Sequence, residues 1–362
     1  MELNNTKLEL ETAPHIHSSM TTTKMMGIVL LALIPAYLVM IYFFGFGCLI
    51  QFGICALACA FAESVTAFLR KVKPAFYLGD LSALVTAAIL GLTIPPLLPW
   101  YLSVTASFFA IFLVKHAFGG LGMNIFNPAM AGFIFLVIST PGIFYSTWIS
   151  PAPGAYTVAS ISNSAKVIFA KEDPTNLRED IKLLNSNEDV LTGATYLESI
   201  KTARKAGAVA NIEEADFSLD SYKAYAYLGI AYLLGGIILI AFKVIPFQMP
   251  LTFIATVIIS GGLWHMLDPS MSISGLDHLL FGGTLLGAFF IITDPVTNSG
   301  TFKGRIVFAI FTGLLVILIR VKGSYSDSVA FAVMLGNATA PLIDVLTRRR
   351  PFGIGYRKGG LD

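Results

Sequence analysis

The sequence predicts an all-α polytopic membrane protein, and three observations carry the prediction. Hydrophobic residues make up 55% of the 362-residue chain and charged residues 13%, against about 25% charged in soluble domains. The apolar residues gather into runs near the ~20 residues that a helix needs to cross hydrocarbon. The charged residues concentrate in the gaps between those runs. Backbone polar groups in lipid must be satisfied within each segment, which selects helices.

Ten apolar segments follow in order. A polar stretch, 1–24, shows no cleavable signal pattern and leads into residues 25–44. The second segment, 48–69, holds Cys48, Cys55, Cys59 and the acid Glu63. The three cysteines match no zinc, cluster or disulfide spacing and read as small buried residues. The third, 77–95, includes "GDLSALVTAAILGLTI" and is stopped by paired prolines. The fourth, 100–117, ends at Lys115 and His116 before a glycine-rich turn, and the fifth, 127–146, opens on "FNPAMAG". After the polar stretch 147–224 come 225–242, 247–264, 276–293, 306–322 and 327–346. The basic tail 347–362 closes the chain, with the "RRRPFGIGYRK" stretch suited to anionic lipid. No nucleic-acid motif accompanies it.

Orientation follows from lysine and arginine in the short connections. With the N-terminus cytoplasmic, fourteen basic residues lie inside and two, Arg320 and Lys322, outside. Both termini are therefore expected inside, and the long 147–224 loop, which follows an odd number of segments, outside. The two halves, 25–146 and 225–346, also resemble each other. "GDLSALVTAAILGLTIPP" and "DHLLFGGTLLGAFFIITDP" each begin near an acid, run through small residues and end in Thr before Pro. "FNPAMAG" and "GNATAPLID" fall at matching places. Five segments per half makes the halves inverted, an architecture that places sites at the repeat interface. Recurrence of Gly, Ala and Pro in any packed bundle is the plainer explanation.

Ionisable groups inside spans are functional candidates by default. Glu63 lies within the second segment, Asp80 opens the third, Asp294 ends the eighth before a proline, and Asp344 sits late in the tenth. Capping or ion pairing explains Asp80 and Asp344 equally well. In "KHAFGGLGMNIFNPAMAG", Asn124 and Asn127 are spaced to share a helix face and to read an amide-bearing ring such as a flavin or a quinone. The alternative is capping, with Asn124 as the N-cap. The histidines, His15, His17, His116, His265 and His278, are scattered and read as interfacial polar residues, with no metal-site spacing.

The outside loop contains "EDVLTGATYLES". Gly193 and Ala194 leave the Thr195 hydroxyl unshielded, with Asp189 and Thr192 before it. A threonine without a neighbouring base is a poor nucleophile, so covalent modification is the better reading. Asp189, two residues, then Thr192-Gly193-Ala194-Thr195 resembles the flavinylation motif of membrane electron-transfer proteins. "APHIHS", "GGLGMNIFNPAMAG", "ITDPVT" and "GSYSDSVAFAVMLGNATAPLID" accompany it in order. With them, roughly residues 13–350 resemble the family that joins the RnfD components of Rnf electron-transport complexes with the NqrB components of sodium-pumping NADH:quinone oxidoreductases.

The resemblance implies ten helices in two inverted halves, similar to urea transporters. It implies a flavoprotein component in the bacterial inner membrane that relays electrons between ferredoxin and NAD, linked to Na⁺ or H⁺ movement. It implies FMN joined through its phosphate to Thr195 by a flavin transferase outside the membrane. It implies a second, noncovalent flavin, riboflavin in the related sodium pump, at Asn124 and Asn127, with Glu63 and Asp344 matching acids tied to ion movement. Asp294 joins them as a candidate flavin contact. The implied partners are the other components of the complex, including a second FMN-bearing periplasmic one and those on the NADH and ferredoxin side. The chain has no NAD fingerprint and no cluster ligands, so it is not catalytically complete alone. Thr192 stands where Ser is common, which keeps the hydroxyl. The N-terminus is shorter than in the sodium-pump relatives, where quinone contacts lie, and this favours the Rnf branch. The rival is an inverted-repeat transporter or channel without a redox role, which the fold alone permits.

Overall fold

The computed structural model describes residues 20–170, 173–182, 219–269, 272–323 and 327–348, and among these every regular element is helical. Among the described residues, six helices are long and apolar enough to cross a membrane. They are α1 (Thr22–Phe44), α2 (Gly47–Leu69), α10 (Leu219–Ala241), α11 (Gln248–Leu267), α14 (Phe302–Lys322) and α15 (Ser328–Thr347). Between α2 and α10 lie α3 (Pro74–Leu78), α4 (Ser82–Thr93), α5 (Trp100–Phe108), α6 (Pro128–Ser139), α7 (Pro141–Ser146), α8 (Ile161–Ala170) and α9 (Pro174–Lys182). Between α11 and α14 lie α12 (Gly275–Leu280) and α13 (Thr284–Leu286).

The other four predicted segments are therefore short or interrupted helices. The third is split into α3 and α4, with Leu81 at φ 60° making the turn and Asp80 Oδ1 accepting from Ser82 N at 2.8 Å. In the fourth, α5 runs directly into a π-helical stretch, Phe109–Lys115. The fifth comprises α6 and α7, separated at Thr140. The eighth is broken after α12, where Gly282 and Gly283 take φ 69° and 67°, and resumes as α13 and a π stretch, Gly287–Ile291. Glycine reaches that left-handed backbone without a Cβ penalty.

These breaks decide where polar chemistry sits. A 12-residue helix such as α4 rises about 18 Å at 1.5 Å per residue, short of the ~30 Å hydrocarbon core. Irregular backbone at that depth persists only when it is buried in protein or lines a cavity. After α4, Pro95, Pro96 and Pro99 supply carbonyls but no N–H. The buried Gln51 of α2 serves this turn, donating to Leu98 O at 2.5 Å while Ser103 donates to its Oε1 at 2.6 Å. After α12, the buried Arg320 of α14 donates to His278 O at 2.6 Å, Phe281 O at 3.2 Å, Gly282 O at 3.0 Å and Thr284 Oγ1 at 2.9 Å.

The helices pack as α1 against α10, α2 against α4 and α5, α11 against α12 and α14, α14 against α15, and α6 against α15. The α1–α10 crossing needs Gly235, since a Cβ there would collide with the Ala32 carbonyl oxygen. Large apolar side chains such as Leu57, Phe61, Phe68, Ile259 and Leu263 face outward, as lipid contact requires. The segment after α7 forms a small apolar cluster of its own around Leu97, Ile149, Ala152, Val167 and Ile181. It is pinned to the end of α1 by Ala152 N to Phe43 O and Phe46 N to Ala159 O, both 3.0 Å. Outside the bundle, hydrogen bonds from Thr175 hold the exposed Asp173 carboxyl below its ordinary range.

Several expectations are revised. His116 and His278, read above as interfacial polar residues, are buried in the protein, His116 just after the π stretch and His278 within α12. Lys115 and Arg320, counted above among the loop charges, are buried inside the bundle. Removing one from each side leaves thirteen basic residues against one, so the sign of the orientation argument is unchanged. Asn127, not Asn124, caps α6: its Oδ1 accepts from Ala129 N at 3.0 Å and Met130 N at 3.2 Å. Neither asparagine lies inside a helix, so a shared helix face is not what relates them. The three cysteines are buried and free.

Candidate functional site

The face of the bundle at which α1 begins holds a cleft between the two sets of helices. Its polar edge is Asn124, Asn127, Asp294, Lys115, Ser82 and Thr293, and its apolar walls include Ile89, Ile245, Phe289 and Phe290. Three residues singled out in the sequence, Asn124, Asn127 and Asp294, therefore converge although they come from different halves of the chain.

Local structure fixes each of them. Pro128 is the first residue of α6, where its missing N–H costs nothing. Asn127 caps that helix with its oxygen, which leaves Nδ2 to point at Asp294 Oδ2, 3.5 Å away. Pro295 ends the broken eighth segment, and the Asp294 carboxylate accepts from Val296 N and Thr297 Oγ1, both at 3.2 Å. Asn337 of α15 ties the two sides together. With its amide set to satisfy its neighbours, it donates to Thr297 O at 3.1 Å and Val333 O at 3.2 Å and accepts from Asn127 N at 3.0 Å.

Asn124 differs from these. Its Nδ2 donates to Phe126 O at 3.1 Å, but its Oδ1 is buried and has no hydrogen-bond partner among the described residues. A buried acceptor left without a donor costs about 1–3 kcal/mol. A ligand N–H at the cleft would remove that cost.

Glu63 stands behind the cleft and reaches it through Lys115. The two are buried, the Lys115 ammonium is in direct contact with Glu63 Oε1, and it also donates to Ser82 Oγ at 2.5 Å. Ser82 in turn donates to Asp80 Oδ1. His116 Nε2 is 3.8 Å from Glu63 Oε1. Asp344 lies apart from the cleft and anchors a turn, accepting from Ser299 Oγ and from Gly300 N at 3.0 Å. Asp189, Thr192, Gly193, Ala194 and Thr195 lie outside the described residues.

The sequence reading missed Lys115, Ser82, Asn337 and Arg320. Lys115 and Arg320 both fall within predicted apolar segments, the same criterion that picked out Glu63. The cue was present but was read as loop charge.

A second cleft opens on the opposite face, beside the start of the segment that leads to Thr195. Its walls are aromatic, with Phe44, Phe133, Trp148, Tyr225, Tyr232 and Phe281. The first cleft gathers amide and ammonium groups with the Asp294 carboxylate, and the second gathers six aromatic rings with the Asp327 carboxylate.

The family described as NQR2, RnfD, RnfE matches residues 9–353. The chain is 38% identical over 347 residues to a protein of Pectobacterium carotovorum subsp. carotovorum that is named as the D component of an ion-translocating oxidoreductase complex. The match covers 95% of this chain and 98% of that protein. It is 40% identical over 344 residues to the protein of that name from Sodalis glossinidius, with the same coverage. Against the one from Cronobacter sakazakii it is 40% identical over 347 residues, again covering 95% and 98%.

Proposed function

Since the chain belongs to the NQR2, RnfD, RnfE family, we propose that it is the membrane flavoprotein component of an ion-translocating ferredoxin:NAD⁺ oxidoreductase of the Rnf type. It relays electrons through FMN attached to Thr195 and a second, noncovalent flavin in the Asn124–Asn127 cleft, coupled to Na⁺ or H⁺ transport. Its ten helical segments form two inverted halves, 25–146 and 225–346, in the bacterial inner membrane. The 1–24 segment and the 347–362 tail are cytoplasmic, and the 147–224 loop is periplasmic. Its partners are the other components of the complex, one with its own periplasmic FMN and others on the NADH and ferredoxin side, and the flavin transferase that modifies Thr195.

The observation that carries the second-flavin reading is the orphaned Asn124 Oδ1 at a cleft that also presents Asn127 and Asp294. Asn124 accepts a ring N–H. Asn127 is held rigid by its capping role and presents Nδ2 beside Asp294. The apolar walls exclude water and so strengthen these polar contacts. A bound flavin supplies the electron chemistry, and the protein supplies position and electrostatics. The aromatic second cleft suits stacking with the FMN ring carried on Thr195.

Asn124→Leu is expected to lower retention of the dissociable flavin about tenfold, the value of one lost hydrogen bond of ~1.4 kcal/mol. The covalent flavin should be unaffected. Acid extraction of the purified complex, followed by flavin quantification, reads both pools at once. Equal dissociable flavin in wild type and variant would remove the second flavin from this cleft.

A further inference from the structure

We infer that Lys115 is the positioning residue that links the charge state of the cleft to cation uptake at Glu63. The inference rests on the proposed flavin in that cleft. Lys115 belongs to two sites at once: it lines the cleft, and its ammonium touches the Glu63 carboxylate. Both side chains are almost fully enclosed, at 2% and 0% exposure, so their attraction is poorly screened. A cation cannot join Glu63 cheaply while the ammonium occupies it. Negative charge added in the cleft competes for the same ammonium, and the flexible lysine stem allows it to shift.

The surroundings support this direction of response. Glu63 Oε2 and both ring nitrogens of His116 are buried and have no hydrogen-bond partner among the described residues. Glu63 therefore has one oxygen free for a proton or a small cation once Lys115 is drawn away. The other titratable groups facing the pair are Cys59 on α2, His116, and Asp80 acting through Ser82, with the Tyr77 ring edge-on to His116. Among them only Glu63 gives Lys115 a directly contacting carboxylate. Lys115 sits at the last position of the π stretch and Ser82 at the first of α4, so both ends of the link rest on helix irregularities that line the cleft.

The charges balance. An electron delivered to a flavin held by Asn124 and Asn127 would be matched by one H⁺ or Na⁺ taken up at Glu63 from the aqueous phase. Net charge in the buried region is conserved, and Lys115 keeps its proton throughout.

The test is carbodiimide labelling of Glu63 in the assembled complex, in Na⁺-free buffer, oxidised and after dithionite reduction. A protonated carboxyl adds across dicyclohexylcarbodiimide with no leaving group, so peptide mass spectrometry reads the full reagent mass at Glu63. Wild type should label about tenfold faster when reduced, the rate effect of about 1.4 kcal/mol. Lys115→Arg should keep the response, and Lys115→Gln should label fast in both states. Equal rates in oxidised and reduced wild type, with dissociable flavin present on extraction, overturn the link while leaving the flavin reading intact. A redox response that survives in Lys115→Gln overturns the role of Lys115. Absence of dissociable flavin overturns the flavin reading and this inference together. If Lys115→Gln does not assemble, the wild-type pair of rates decides.

Discussion

Arg320→Met is expected to abolish accumulation of folded protein or to lower its melting temperature more than any other single change considered. Arg320 is buried and donates to three backbone carbonyls and one hydroxyl at the break between α12 and α13. Hydrogen bonds from charged donors contribute about 1.5–3 kcal/mol each. Methionine fills the volume but removes the guanidinium from the Gly282 carbonyl and from those of His278 and Phe281, which keep the Thr284 hydroxyl. Arg320→Lys keeps a charge but not the planar fork of donors, so it should fall between the two. Fluorescence-detected size exclusion after a heating series ranks the three proteins. Wild-type behaviour of Arg320→Met would mean that the break is held by something else.

The second large effect is at Glu63 and Lys115, and its sign depends on which partner remains. Lys115→Met leaves a buried carboxylate without its counter-ion, at a cost of about 3–5 kcal/mol. Glu63→Gln leaves a buried ammonium, which still has Ser82 as a partner, and should cost less. The double variant Glu63→Gln/Lys115→Met removes both charges and should regain most of the lost stability, because a well-packed neutral pair often matches a buried ion pair. The double-mutant cycle therefore shows strong positive coupling. Additive losses would mean that the two side chains do not depend on each other. Stability and ion transport separate here: the double variant folds but should not translocate.

Much of the architecture was legible in the sequence because lipid imposes a one-dimensional constraint. Runs such as 25–44 and 306–322 must be long, apolar and helical, and α1 and α14 are. The breaks were legible where proline or glycine forced them, at Pro95–Pro96, Pro128 and Asp294–Pro295. What joins those breaks was not. Lys115 meets Glu63 across 52 residues and Ser82 across 33, and Asn127 meets Asp294 across 167. No local pattern encodes such pairs. The capping assignment went to Asn124 rather than Asn127 because Asn-Pro at a helix start and Asn before a loose turn look alike in sequence. The difference is that Asn127 directly precedes Pro128, the first residue of α6. The aromatic cleft was invisible for a similar reason, since its six rings come from five separated stretches of the chain.

The central claim is that this chain carries covalent flavin on Thr195. It is tested most directly by co-expressing the chain with an active flavin transferase, running it on a denaturing gel and illuminating the gel with ultraviolet light. A fluorescent band that disappears in Thr195→Ala is the predicted result. A dark wild-type band beside a fluorescent control substrate, or a band that persists in Thr195→Ala, would contradict it.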